Sequence, residues 1–426
     1  MPERFRRKWG DGQPGYFYLR SQSREPRAGR VRSGGNLSWT VPARRFRSFP
    51  LGQLFANVAS VKRLNTMATG TALPSTMRAV VYRGINDLRV EEMPVPAIRR
   101  GEILVKVAAC GVCPTDIKKI QHGTLAAPRI YGHETAGTIV KVGTAVQGFR
   151  VGERVGLHHH IPCLSCHYCQ HRAFAQCETY KRTGITAGFE PAGGGYAEYV
   201  RVMDFCLPGV VKIPTRNSFV EGAMLEPVNT VLKGVELLPL LPGDTVLVAG
   251  AGPIGLLFIQ LLKLRGIDVI ATDLLETRRR LARKYGAKHV LDGAAVDWVE
   301  DLRRYTGGRG LDAAVVCVPV DNVVTQAQAA IRGGGTVLLF AHTVRGKTAP
   351  IDLGVVCVEE KNLIGSYSSD ATLQRRVARL VFSRKLDVRP LVTNTFPLEQ
   401  TAAAVALAAK PMPESLKVVV RVSEPS

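Results

Sequence analysis

A run of apolar residues long enough to cross a membrane is missing from this sequence. The most apolar segment, Val246 to Ile270, is broken by Gly250, Gly252, Pro253, Gly255, Lys263 and Arg265, whereas a spanning helix needs about 20 consecutive, mostly apolar residues. The expectation is a protein with no membrane-spanning helix. Acidic residues are scarce at the start: Met1 to Thr66 holds fourteen Lys and Arg against three Asp and Glu. The formal charge of +22 therefore splits into +11 for this leader and +11 for the remaining 360 residues, so the body is only mildly basic. Trp9, Tyr16 and Tyr18 are grouped near one end of the leader, which disfavours a stacking platform for nucleic acid along it. Residues 1–76 read as a basic leader or upstream extension outside the fold, with organellar targeting the minority reading.

Cysteine is sparse outside one stretch. Six of the nine lie between 110 and 177, a pattern that fits metal binding in a reducing compartment better than a disulfide scaffold, and the cytosol is the expected location. An apolar content of 46% over 426 residues is enough for two ordinary domains.

The texture changes along the chain. From Met77 to about residue 200, short β-runs are punctuated by Gly and Pro: Arg78–Tyr82, Glu102–Val107, Thr138–Val142, Arg154–Leu157 and Tyr196–Val202. From Thr245, strands alternate with helices. The expected strands are Thr245–Ala249, Asp268–Thr272, His289–Leu291, Ala313–Val318 and Thr336–Phe340; the expected helices are Ile254–Arg265, Glu276–Tyr285, Val296–Tyr305 and Val323–Ile331. Such alternation implies βαβ units and a doubly wound parallel sheet, an α/β class. After about residue 370 a helix and a last β-run, Lys417–Val422, return to the first region.

Strand Thr245–Ala249 runs straight into Gly250-Ala251-Gly252-Pro253-Ile254-Gly255. This is the G-x-G-x-x-G arrangement in its strand-to-helix context: Gly250 for the tight turn, Gly252 for the approach of a pyrophosphate, Gly255 for close packing, with the phosphates at the N-terminus of the helix that Pro253 and Ile254 open. Asp273 ends the second strand 23 residues after Gly250, where a carboxylate binds ribose hydroxyls and repels a 2′-phosphate, favouring NAD over NADP. Arg278, Arg279 and Arg280 follow; they would partly relieve that repulsion or form a solvated helix face.

Cys163, Cys166, Cys169 and Cys177 form C-x2-C-x2-C-x7-C. Four thiolates in one loop close a tetrahedron around Zn²⁺ with no open position, a structural site that stiffens a loop-rich lobe. Three further segments offer ligands for a second metal: Cys110-Gly-Val-Cys113-Pro-Thr115-Asp116, Gly132-His133-Glu134 and Glu226-Pro227. Spacing alone makes these only a moderate argument.

Taken together and in this order, with Gly-Gly-Tyr196-Ala-Glu198-Tyr-Val, the motifs resemble the zinc branch of the medium-chain dehydrogenase/reductase (alcohol dehydrogenase) family, and within it the sorbitol (polyol) and threonine dehydrogenase-like group. The resemblance runs from Met77 to about Val422. It implies a GroES-like catalytic domain over 77–227, with a structural zinc lobe at 163–177 and completion by 371–426, and a Rossmann NAD-binding domain over 228–370. It implies two zinc ions per chain. Cys113, His133 and Glu226 would hold the catalytic one, with Glu134 binding directly or intermittently, while Cys110 is not a ligand. Thr115 would take the alcohol proton, Asp116 would orient the ligand imidazole, and Thr230 would touch the nicotinamide. The implied reaction is oxidation of a secondary alcohol of polyol type by hydride transfer to NAD. Glu226, where alcohol dehydrogenases of the ethanol type carry cysteine, favours polyols.

Lys118 departs from the family, which often has a histidine ending the proton relay there; the relay would end through cofactor hydroxyls and water, or through Lys118 or His122. His158, His159 and His160 read as loop or pocket-wall residues, and Thr183–Glu190 and Ser366–Asp370 as loops that set specificity. A homodimer or homotetramer is the family's expectation. The alternatives are a zinc dehydrogenase of an amino alcohol such as threonine, of an aldose or of a primary alcohol, and, from another class, a zinc-stabilised nucleic-acid-binding protein.

Overall fold

The computed structural model describes residues 73–182, 193–295, 298–341 and 346–423. The leader up to residue 72, the Thr183–Glu190 loop and the first two residues of the expected helix Val296–Tyr305 lie outside the described residues. Among the described residues no helix is long and apolar enough to cross a membrane.

Six parallel strands form one sheet, in the order His289–Asp292, Asp268–Asp273, Thr245–Ala249, Leu311–Val316, Ile331–Leu339, Asn362–Gly365. This is the doubly wound arrangement: the chain works outward from Thr245–Ala249 to one edge, then crosses back to build the other. Strand Thr245–Ala249 is buried throughout, and so are Leu256, Leu257, Phe258, Ile259, Leu261 and Leu262 of the following helix, Pro253–Leu264. Ile254, Leu257, Phe258, Leu261 and Leu262 have the spacing that buries a single stripe of such a helix. Ile254 is only partly buried, and Leu256 and Ile259 are covered as well, because the helix is packed between the sheet and a second helix, Leu225–Glu236.

The second helix escapes a reading by local pattern. Its first turn carries Glu226 and Pro227, but Pro is harmless there, where no backbone N–H has a partner within the helix. Five strands lie outside the expected set: the short Arg129–Ile130 and Val211–Lys212, the sheet-edge Asn362–Gly365, and Asp87–Pro94 and Val392–Pro397; the last two mix partly buried and exposed positions without a strong apolar face. Asp87–Pro94 pairs with Thr76–Gly84.

A larger sheet on the N-terminal side takes the order Val392–Pro397, Lys417–Arg421, Ile103–Gly111, Glu134–Val142, Arg154–Gly156, Val211–Lys212, with Tyr199–Val202 also on Ile103–Gly111. Its central strand is buried at eight of nine positions, only Lys106 facing out, as expected of a strand covered on both faces. Antiparallel pairing sets Gly111 opposite Glu134 on one side and opposite Val419 on the other. That register carries the C-terminal strand to the ligand segments.

Candidate active site

The strand Ile103–Gly111 delivers Cys113 to the start of helix Pro114–His122, and Pro114 at the first helical position fixes the turn. The neighbouring strand begins at Glu134, just after His133. Cys113 Sγ, a ring nitrogen of His133 and a carboxylate oxygen of Glu134 all lie within 4.8 Å of one another. Gly111 makes this possible: a Cβ there would sit 1.9 Å from Glu134 Oε2.

Asp116 is fully buried in the first turn of its helix. Its Oδ1 accepts from His133 Nδ1 at 3.0 Å, and Tyr196 Oη donates to its Oδ2 at 3.4 Å. The ring's other nitrogen is thereby left for Cys113, the arrangement in which a carboxylate orients a ligand imidazole. Burial opposes a positive charge on His133, yet Asp116 and Cys113 outweigh it and hold the imidazole well above its usual range. The field here favours a cation, so the donor set and its electrostatics fit a borderline-soft divalent ion.

Glu134 has a partner that local sequence does not reveal. Lys417 Nζ, buried, donates to Glu134 Oε1 at 2.6 Å and to Val112 O at 2.9 Å. Glu226 is brought to the same region but not into the tight cluster: its Oε1 lies 3.4 Å from His160 Nδ1 and 3.3 Å from Thr230 Oγ1. Burial pushes Glu226 up to about 7, His133 pulling against that and Glu134 adding to it. Thr230 stands one turn on, donating also to Glu226 O at 3.1 Å. Thr115 is half-buried directly after Pro114. Cys110 packs beneath, its Sγ 3.4 Å from Thr135 Oγ1, and burial pushes its thiol up, keeping it protonated.

The three consecutive histidines are buried against this cluster. The His133 ring lies 5.0 Å from that of His159 and 6.2 Å from that of His160, and His159 and His160 are 3.8 Å apart. Burial moves all three downward, His158 to about 4. The Ser366–Asp370 segment closes on them: Ser369 Oγ bonds His160 Nδ1 and lies 3.4 Å from His158 Nε2, while Tyr180 Oη is 3.4 Å from Ser368 Oγ.

In the cysteine lobe the sulfurs of Cys163, Cys166, Cys169 and Cys177 also lie within 4.8 Å of one another, with 4.0 Å between Cys163 and Cys169 and 3.6 Å between Cys166 and Cys169. A tetrahedron with Zn–S of about 2.3 Å requires sulfurs about 3.8 Å apart, so these four fit. Hydrogen bonds from Ser165 and from the Cys166 amide draw the Cys163 thiol down to about 5, toward the thiolate a metal needs.

The glycine turn is built as its motif requires. Gly250 has φ of +98°, a backbone that L side chains rarely adopt, and a Cβ on Gly255 would strike Gly250 O at 1.8 Å. The space above Gly252 is open, the nearest atom to a Cβ there being Arg278 Nη1 at 3.9 Å. Asp273 Oδ2 accepts from the Ala251 amide at 2.8 Å and Oδ1 from Leu275 N at 2.9 Å, so the acid is tied to the turn itself. The arginine run divides. Arg280 is exposed, but Arg278 is buried, its Nε on Pro413 O at 3.0 Å and its Nη2 on Ser415 O; for Arg278 a solvated helix face is the wrong reading. Sequence reasoning singled out the ligand segments but missed Lys417 and the contact of His160 with Glu226, since both join residues remote in the chain.

Residues 99–215 match the alcohol dehydrogenase GroES-like domain and residues 253–383 the zinc-binding dehydrogenase domain. Sorbitol dehydrogenase of Bacillus subtilis is 30% identical over 355 residues, covering 82% of this chain and 98% of that protein. D-xylulose reductase A of Aspergillus oryzae is 30% identical over 336 residues, covering 76% and 91%. Among solved structures, 2R,3R-butanediol dehydrogenase from Bacillus subtilis superposes with a TM-score of 0.71 at 26% identity, covering 82% of this chain and all of that one.

Proposed function

The chain belongs to the zinc-binding alcohol dehydrogenase family and is an oxidoreductase, and from that premise we propose that it oxidises a secondary alcohol of polyol type to a ketone, using zinc and NAD. The observation that carries the reading is the convergence of Cys113, His133 and Glu134 within 4.8 Å of one another, with Glu226 beside them. The activities for which its relatives are named, on sorbitol, D-xylulose and butanediol, point the same way.

Cys113, His133 and Glu226 would hold a catalytic zinc ion, with Glu134 as an intermittent ligand, and the four-cysteine lobe would hold a second. When bound, the catalytic ion supplies Lewis acidity that makes a hydroxyl proton easier to remove, and the nicotinamide accepts the hydride. Everything else falls to side chains. Asp116 keeps His133 in one tautomer and orientation. Lys417 competes for Glu134, favouring an open position for the substrate oxygen. Thr115 takes the alcohol proton at its hydroxyl and passes it outward, on a route that ends at Lys118, His122 or cofactor hydroxyls. Thr230, whose hydroxyl is bonded to Glu226, would touch the nicotinamide. Gly250, Gly252, Pro253, Ile254 and Gly255 seat the pyrophosphate, and Asp273 holds the adenosine ribose, with Arg278 flooring the turn.

The test is a screen of polyols, amino alcohols and simple alcohols for NADH formation by the zinc-loaded chain, with metal analysis alongside. Two zinc per chain and turnover of secondary polyols are expected. Turnover confined to threonine-like or primary alcohols would overturn the polyol assignment, and one zinc per chain would show that a site is misassigned.

A further inference from the structure

His160 and Ser369 have no part in the chemistry above, yet both are buried beside the carboxylate of Glu226. They come from segments remote in the chain: His160 from the loop after strand Arg154–Gly156, Ser369 from the segment after the edge strand Asn362–Gly365. His160 Nδ1 is bonded to Ser369 Oγ and lies 3.4 Å from Glu226 Oε1, and Ser369 Oγ lies 3.4 Å from His158 Nε2. Thr230 Oγ1 reaches the same Glu226 oxygen at 3.3 Å. Two groups therefore meet one oxygen of this carboxylate.

The chemistry of these groups sets the direction of their bonds. An ionised carboxylate only accepts, while a ring nitrogen either carries a proton or presents a lone pair. A lone pair on His160 Nδ1 would face the Glu226 oxygen with like sign, so the form that suits this place carries its proton on Nδ1. Ser369 Oγ then accepts from the ring, and its own hydroxyl proton goes to His158 Nε2.

Ser369 is itself held from both sides. Lys233 Nζ donates to Tyr367 O at 2.8 Å, the Asp370 amide donates to Asn229 Oδ1 at 2.8 Å, and Asn229 Nδ2 donates to Gln374 Oε1 at 3.0 Å. Ser368, between them, has φ of +63°, a conformation that a residue with a side chain keeps only where its surroundings impose it. Asn229 and Lys233 stand on helix Leu225–Glu236, the helix that carries Glu226. Loop and carboxylate are thus fastened to one scaffold, which makes a loop serine a fixed point for the imidazole.

We propose that His160, fixed by Ser369, is a positioning residue for Glu226: with Thr230 it anchors Oε1, so that the other oxygen is presented to the metal ion. The inference rests on Glu226 being a ligand, as proposed above, and adds the groups that set its orientation.

The experiment compares the full zinc-loaded chain with His160→Phe, His160→Asn and Ser369→Ala. Phe keeps a ring and removes the donor, whereas Asn can place an amide N–H where Nδ1 stands. Groups that orient a metal ligand are worth roughly 10- to 100-fold in metal affinity. In His160→Phe, competition with a chelator should release the catalytic zinc about 10- to 100-fold more readily, with the lobe's ion unchanged, and cobalt(II) put in place of the catalytic zinc should show altered d–d absorption. His160→Asn should return both properties to near those of the wild type, and Ser369→Ala should fall between. In a Glu226→Ala background, His160→Phe should weaken the metal no further; full additivity would mean that His160 acts on the fold at large and overturns the proposal. A wild-type affinity and cobalt spectrum in His160→Phe overturn it too. None of these readouts needs a substrate, so they stand apart from the alcohol screen. If Glu226→Ala by itself changes neither affinity nor spectrum, Glu226 is not a ligand, and the reading above fails at that residue together with this proposal.

Discussion

The cysteine lobe and the Cys113–His133–Glu134 cluster each bring metal-type ligands within 4.8 Å, but they are made in opposite ways. The lobe takes all four donors from residues 163–177, all of one kind, and leaves no position open. The cluster takes different donors from separate strands and surrounds them with groups that compete or orient: Asp116 on His133, Lys417 on Glu134, His160 and Thr230 on Glu226. A site meant only to stiffen a lobe can be local and symmetrical. A site meant to exchange a substrate needs ligands whose grip is adjustable, and therefore partners supplied by the rest of the fold.

Exchanging one ligand in each site breaks this contrast most directly. Cys113→Ser should lower kcat/KM roughly 10³-fold or more, as expected when several kcal/mol of Lewis-acid stabilisation is lost, with little change in melting temperature. Cys166→Ser should lose one zinc per chain and expose the lobe to proteolysis. Steady-state rates with metal analysis and limited digestion check both, and matching phenotypes would mean that the sites are not functionally distinct.

Next in size is the ion pair. Lys417→Met leaves the buried Glu134 carboxylate without its counter-charge and should cost about 3–5 kcal/mol in urea unfolding. Glu134→Gln in the same chain should recover much of it. A Met variant as stable as the wild type would show that the pair contributes nothing.

Acid sensitivity sharpens the comparison from the side of the histidine wall. His158 is held near 4 against an ordinary value of 6.5. Between those values the unfolded chain binds the extra proton, so the stability from keeping His158 neutral is complete above pH 6.5 and falls as pH drops through the window, by about 3 kcal/mol in all. The His158→Gln variant should show a shallower loss of unfolding free energy from pH 6.5 to 4.5, and a slope identical to that of the wild type would contradict the assignment. Smallest is Asp273→Ser, expected to raise the NADP/NAD rate ratio about tenfold, one charge-assisted contact being at stake; an unchanged ratio removes Asp273 from the ribose site.

Legibility followed the length of the interactions. Strand Thr245–Ala249 and helix Glu276–Tyr285 fall where local signals put them, the first because it is a continuous apolar run and the second because a run of good helix formers ends at Gly286. Strand Val392–Pro397 and helix Leu225–Glu236 did not announce themselves, since the first has a weak pattern and the second opens with Glu226 and Pro227. In the site, Cys113, His133, Glu134 and Glu226 were visible as motif residues, but Arg278 was open to a surface reading until its guanidinium was placed under Pro413 and Ser415.

From its sequence alone this chain is an α/β protein with a glycine turn for a dinucleotide and a closed four-thiolate lobe, because each of those depends on residues a few positions apart, within reach of one turn or one loop. Which groups press on the open cluster was decided by tertiary structure. Strand pairing sets Val419 opposite Gly111 and lays Lys417 against Glu134, and helix packing brings His160 to Glu226. Contacts between residues so far apart in the chain carry no local signature, and they exist only once the sheets have closed.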